Sequence, residues 1–293
     1  MALSEIADAR IQKRRQKNNF FKTLTIATLV ISLLCLAFFL VKILVDGLPF
    51  LNFNFLNSYV SRKPAEAGIK AALAGSFWIM LLTGLFSIPL GIGSAVFIQE
   101  YLPSKSRWRN LFILNLSNLA GLPSILYGLL GLTLFARTFG LGGSLLTGAL
   151  TMSLLILPTI VITSIEALRS VPKNLREGAF ALGARKWQVI LGNVLPSALP
   201  GILTGLILAS SRAIGEAAPL IVVGGLSFVA FVPQTPMDQF TVLPLQIFNW
   251  ASRPQKSFHD LAAAGILVLM AMLLAFNLIS ILLRYYYGKK SKY

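Results

Sequence analysis

An arginine and a glutamate, Arg212 and Glu216, stand in a stretch from Leu206 to Val223 whose other side chains are apolar or small. A charge at the centre of a membrane helix costs about 2.5–3.5 kcal/mol on insertion scales, so such residues face a protein interior or a water-filled path and act there. At i and i+4 the two would share one face of a helix. Counted from Pro200 at ~1.5 Å per residue, Arg212 is about 18 Å into the segment, too deep in a hydrocarbon core of about 30 Å to be an interfacial anchor. The chemistry on offer is anion recognition. A guanidinium presents a planar fork of donors that suits a tetrahedral oxyanion. A neighbouring carboxylate neutralises it when the site is empty and accepts from a protonated anion, leaving itself unpaired against an anion without that proton. A structural ion pair tying helices together is the other reading of the same residues.

The elements that must position this pair are membrane helices. Of 293 residues, 56% are hydrophobic and only 12% charged, and the mean hydropathy is +0.75, the profile of a polytopic membrane protein. Apolar runs predict about six transmembrane helices at 23–45, 72–98, 111–135, 144–168, 200–223 and 261–283. Basic residues crowd before the first run, between runs two and three, between runs four and five, and after the last. By the positive-inside rule both termini are cytoplasmic, and the net charge of +16 reflects bilayer topology rather than nucleic-acid binding. The expected organisation is a cytoplasmic tail 1–22, a first helix 23–45 retained as an anchor, an external loop 46–71, a core 72–283 with a cytoplasmic loop 169–197 and an external loop 225–260, and a tail 284–293.

Other chemistries are poorly supplied. The single cysteine, Cys35, excludes a disulfide framework within the chain, and the single histidine, His259, has no ligand cluster around it, so neither a metal nor another cofactor is expected. The few carboxylates lie mostly in loops, which leaves a membrane-embedded enzyme without machinery. Both external loops carry aromatics: Phe50, Phe53, Phe55 and Tyr59 in one, Phe228, Phe231, Phe240, Phe248 and Trp250 in the other. These read as an interfacial belt or as a docking surface for an external partner. Pro89, Pro123, Pro158 and Pro219 lie in or at the ends of the predicted helices, where each removes a backbone donor and permits a bend. Ser124 and Tyr127, with Pro123 and Gly128, are candidates to line the same path as Arg212, with packing as their alternative role.

The cytoplasmic loop holds a second constellation. Asn174 followed by Glu177 has the spacing of a capping box, Gly183 should break the helix so begun, and a second short helix from Arg185 to Leu195 should end against Pro196 and Pro200. Two short helices in an L, carrying Phe180, Leu182, Trp187 and Ile190, make a knob that a groove on another protein can grip. An amphipathic helix lying on lipid headgroups is the alternative.

This loop resembles the cytoplasmic signature of ABC importer permeases, Glu-Ala-Ala-x-x-x-Gly followed after a nine-residue spacer by Ile-x-Leu-Pro. Here it reads Glu177-Gly178-Ala179, Gly183, Asn193 and Leu195-Pro196, with Gly178 in place of an alanine and Asn193 in place of the isoleucine. The stretches 56–69, 120–128, 212–220 and 246–254 are similar to those of the permeases of phosphate transport systems, and together the likeness runs from about Phe50 to Arg284. The resemblance implies an all-α membrane protein with the type I ABC importer permease fold. It implies a second permease subunit, a dimer of ATP-binding subunits gripping Glu177, Gly178, Ala179, Gly183, Leu195 and Pro196, an external phosphate-binding protein, and phosphate as solute, in a bacterial inner membrane. The chain itself has no phosphate-binding loop for ATP; Gly288-Lys-Lys-Ser291 lacks both its spacing and its context. Permeases for sulfate, molybdate or phosphonate, and a passive anion channel, remain the competing readings.

Overall fold

The computed structural model describes residues 2–103, 105–226 and 228–290, and among these no β-strand forms. Lys292 of the C-terminal basic cluster lies outside the described residues. The first helix, α1 (Ala2–Gly47), joins the expected tail and first span in one continuous element. It packs on the outside of the bundle, against the last helix. A short helix α2 (Phe53–Asn57), capped by Asn52 Oδ1 accepting from Phe55 N at 2.8 Å, leads into α3 (Lys70–Val96).

A stripe at every fourth position of α3, Thr83, Ser87, Gly91 and Ala95, is buried. Small residues let a neighbouring helix approach closely. That neighbour is α6 (Leu145–Ser170), reached after α4 (Arg107–Ala120) and α5 (Ser124–Gly131). A Cβ on Gly148 would lie 2.8 Å from Ile79, and one on Gly91 would lie 2.5 Å from Ile160. Ser153 Oγ donates to the Thr83 carbonyl at 3.3 Å between these points. The contacts climb both helices together, so α3 and α6 run parallel, and the segment joining them must recross the bundle.

The recrossing is not the straight helix expected over 111–135. The segments Arg107–Ala120 and Ser124–Thr138 meet at 102°. Pro123 has no N–H to continue the helix and disfavours helical geometry at the residue before it, so the chain breaks there. The Tyr127 hydroxyl donates to the Leu119 carbonyl at 2.7 Å and clasps the bend. Taken as one broken span, this element brings the helices long and apolar enough to cross a membrane from five to six among the described residues.

Two boundaries also depart from expectation. The helix expected to end at Pro196 and Pro200 runs on. From α8 (Lys186–Val189) it passes through a π-helical turn, Ile190–Val194, into α9 (Leu195–Gly215), 30 residues long and apolar enough to cross a membrane. The wider turn accommodates Pro196, and packing against α6 and α12 (Lys256–Lys290) carries the helix past Pro200. At the other end the helix stops at Gly215, short of the expected Val223. Pro219 cannot continue it and instead occupies the first turn of a new short helix, α10 (Ala218–Val222), where its missing donor is harmless.

The aromatics of the two outer loops divide. Phe55, Phe240 and Trp250 are core residues, and Phe55 packs on Trp250 of α11 (Leu243–Ala251) at a ring separation of 6.0 Å. Phe53, Phe228, Phe231 and Phe248 stay exposed. In the same region Asp238 and Pro236 cap α6 with their carbonyls, accepting from Leu145 N at 2.9 Å and Leu146 N at 2.8 Å. The Thr235 backbone N–H, then its hydroxyl, then the Gln234 N–H hold the Asp238 carboxyl below its usual pKa. His259 bonds the Arg253 carbonyl through Nε2 at 2.6 Å, a structural role.

Candidate functional site

Arg212 occupies the last turn of α9, where the unsatisfied carbonyls of a helix C-terminus favour a cation. Glu216 follows as the C-cap, in extended conformation at φ −85° and ψ 119°. Arg212 Nε and Glu216 Oε1 are 3.6 Å apart, and their side chains are 44% and 22% exposed. The two charges therefore flank a helix end instead of lining one helical face. The pair is loose and open on the arginine side, so the guanidinium has donors free to meet a further acceptor.

Three elements converge here. Ala209 and Ala213 of α9 pack in one apolar cluster with Tyr127 of α5 and Leu220 of α10. Close approach of α5 to α10 requires Gly128, where a Cβ would lie 2.9 Å from Pro219. Glu216 lines a narrow cleft with Ser76, Met80, Val242 and Pro244. Ser124 is half-buried one turn before Tyr127. One residue before Arg212 on α9, Ser211 Oγ donates to Asn277 Oδ1 of α12 at 2.9 Å and ties the helix that presents Arg212 to its neighbour.

The second constellation lies on α7 (Lys173–Ala181) and the turn after it. The capping box does not form: α7 starts after Pro172, and Asn174 Oδ1 accepts from Leu175 N. Pro172 is itself the N-cap and Lys173 the first helical residue, so Asn174 lies inside the first turn and cannot serve as the cap. Gly183 does end the helix, at φ +80°. Gly183 N bonds the Phe180 carbonyl at 2.9 Å and Ala184 N the Ala179 carbonyl at 3.2 Å, the pairing that closes a helix through a left-handed residue. The motif residues split by environment. Glu177, Gly178, Gly183 and Pro196 are exposed, while Ala179 and Leu195 pack toward the core. Leu182 is 90% exposed, beside exposed Phe180 and Trp187. An apolar patch of this kind between basic residues marks a surface that something else covers.

One functional-site feature has no counterpart in the sequence reading. Arg176 of α7 pairs with Glu100, which lies in the π-helical turn Phe97–Tyr101 that ends α3, at 2.8 Å with both side chains largely buried. Each charge sits at the edge of an apolar run, but their meeting across 76 positions leaves no local signal.

The fold is a bundle of long apolar helices, one pair sharply bent, with an arginine at a helix break and a projecting two-helix loop. The chain belongs to the family of binding-protein-dependent transport system inner membrane components, whose model matches residues 6–293. It is 36% identical to the probable ABC transporter permease protein YqgI of Bacillus subtilis over 250 residues, 80% of this chain and 84% of that protein. It is 30% identical to the phosphate transport system permease protein PstA of Haemophilus influenzae over 270 residues, 92% of this chain and 94% of the other. The PstA of Yersinia pestis is 32% identical over 288 residues, 94% of this chain and 92% of that one. Among solved structures, a bacterial alginate ABC transporter complex superposes with a TM-score of 0.66 at 17% identity, covering 92% of this chain and 94% of that one. An inward-facing MetNI methionine transporter superposes at 0.58 and 15%, covering 75% and 94%. The chain is thus a membrane permease subunit and not an enzyme, ATP hydrolysis belonging to separate subunits of such transporters.

Proposed function

We propose that this subunit imports inorganic phosphate, with Arg212 as the positive centre of the path and Glu216 as its resting counter-charge and reader of the protonated anion. The observation that carries the reading is the placement of Arg212. A guanidinium 44% exposed at a helix end, 3.6 Å from one carboxylate oxygen, keeps donors for an incoming oxyanion. The similarity to PstA proteins over nine-tenths of the chain supports phosphate as that anion. Ser124, half-buried on the helix that crosses α10, lines the approach, whereas Tyr127 is buried and its hydroxyl is taken by the Leu119 carbonyl, so its part is to hold the bend.

In this reading both termini and the α7 loop are cytoplasmic, and the 46–71 and 225–260 segments face an external phosphate-binding protein. The membrane is the bacterial inner membrane. A second permease covers the open side of Arg212, and a dimer of ATP-binding subunits grips the exposed Glu177, Gly178 and Gly183 with the apolar patch at Leu182. Ala179 and Leu195 hold that knob on the core, and the exposed Pro196 belongs to the gripped surface. The test is uptake of labelled phosphate into proteoliposomes carrying the whole complex, with and without ATP, against sulfate as competitor. ATP-dependent accumulation of phosphate that sulfate does not suppress is the expected result. Accumulation of sulfate with no response to phosphate would replace the solute, and uptake indifferent to ATP would replace the mechanism by a channel.

A further inference from the structure

We propose that Glu100 and Arg176 form a strut that makes α7 and the end of α3 move as one body, so that a push on the knob reaches the parallel α3–α6 pair directly. The inference rests on α7 being the segment the ATPase grips. The Arg176 guanidinium, carried on α7, spends its donors on two other elements at once, the end of α3 and the end of α6. Nη2 donates to Glu100 Oε1 at 2.8 Å and Nε to Glu100 Oε2 at 3.4 Å. Nη1 donates to the Val171 carbonyl at 2.7 Å and Nη2 also to the Leu168 carbonyl at 2.8 Å, both at the C-terminal end of α6. A planar fork holding a carboxylate by both oxygens fixes orientation as well as distance. The side chains are only 17% and 11% exposed, so solvent screening is weak.

The turn that carries Glu100 ties down the surrounding elements too. Gln99 Oε1 accepts from Arg109 of α4, and the Tyr101 ring lies under Lys186 Nζ of α8 at 4.8 Å. Three successive residues thus bind α4, α7 and α8 to the end of α3. A π-helical turn opens the backbone spacing that lets neighbouring side chains fan out in this way. Glu177, next to Arg176, points outward. The short helix α7 is therefore anchored through one residue and presented through the next, the arrangement that transmits force instead of absorbing it. Glu100 and Arg176 are positioning residues, acting on the path through α3 and α6.

The experiment uses the full complex with its ATPase subunits. In a Cys35→Ser background, spin labels at Phe97→Cys and Asn174→Cys report the separation of α3 and α7. The separation is expected to stay the same in the nucleotide-free and vanadate-trapped complexes. Replacing both partners, Glu100→Gln with Arg176→Gln, leaves no unpaired buried charge and should still fold and retain the ATPase. In that variant the separation should change with nucleotide, and stimulation of hydrolysis by loaded binding protein should fall about tenfold. The exchanged pair, Glu100→Arg with Arg176→Glu, should recover part of it. An α3–α7 separation that changes with nucleotide in the unsubstituted pair, or full stimulation in the double glutamine variant, overturns the strut. Failure of phosphate-loaded binding protein to stimulate even the unsubstituted complex would count against the solute instead, and the distance measurement would still decide the strut.

Discussion

Arg212 and Glu216 face each other at 3.6 Å across the end of a helix, with Gly215 as the last helical residue between them. A pair fixed along a rigid helix has one geometry. A pair that straddles a break changes its separation when α9 and α10 shift relative to each other, and Pro219 maintains that break by preventing the two from fusing.

Removal of the positive centre should abolish transport. Arg212→Ala is expected to lower phosphate uptake to background while the subunits still co-purify. Arg212→Lys should restore only part, because an ammonium cannot offer the fork. Equal uptake by Lys and Arg variants would show that charge alone is read.

Glu216→Gln should act on selectivity. A carboxamide offers donors as well as an acceptor, so it no longer discriminates against an anion that lacks a proton. The expected outcome is a lower ratio of phosphate to sulfate transport, measured by competition in proteoliposomes. An unchanged rate together with an unchanged ratio would remove Glu216 from the path.

At Gly183, Asp and Asn separate charge from shape. Both tolerate the left-handed conformation at φ +80°, and a Cβ there meets nothing within 4 Å in the isolated chain. If an ATPase closes over this point, Gly183→Asp buries an unpaired charge and should weaken ATPase retention by at least about tenfold. Gly183→Asn should keep most of it, and Glu177→Lys should resemble the aspartate. Pull-down of the ATPase from membranes gives the answer, and full retention by Gly183→Asp and Glu177→Lys would make the loop a headgroup-bound helix.

Gly128→Leu tests the crossing of α5 on α10. The new side chain would meet the backbone of Pro219, whose atoms cannot swing aside. A loss of about 1–3 kcal/mol is expected from such overpacking, seen as a lower Tm in detergent. An unchanged Tm would mean that the two helices are not held at this distance.

The cap on α6 should be acid-sensitive. Because the Asp238 pKa is lowered in the folded chain, its contribution is present above the usual aspartate value of about 3.9 and is lost as pH falls through the folded pKa. Protection of the Leu145 and Leu146 amides from hydrogen exchange, taken relative to the intrinsic rate at each pH, should fall below that pH, and Asp238→Ala should show the lower protection already at neutral pH. Slow exchange in the alanine variant would mean that the turn holds its shape without the carboxylate.

Apolar length determined the helices, because a bilayer admits only segments that satisfy their own backbone hydrogen bonds, and that requirement is written residue by residue. Composition alone likewise marked Arg212 and Glu216 as candidates for function, and it marked Gly183 as a stop. Where each helix ends and what each charge meets depended on pairs of distant segments. Pro123 broke a span and Pro219 split one, yet Pro200 did neither, since packing by α6 and α12 supports α9 there. Asn174 lost its capping role to Pro172. Phe55, Phe240 and Trp250 became core because the two outer loops fold on each other, whereas their hydrophobicity would equally suit a membrane belt. Glu100 and Arg176 found each other only because α3 and α6 run parallel and bring their last turns to one level, and hydropathy, being local, contains no term for which helix lies beside which.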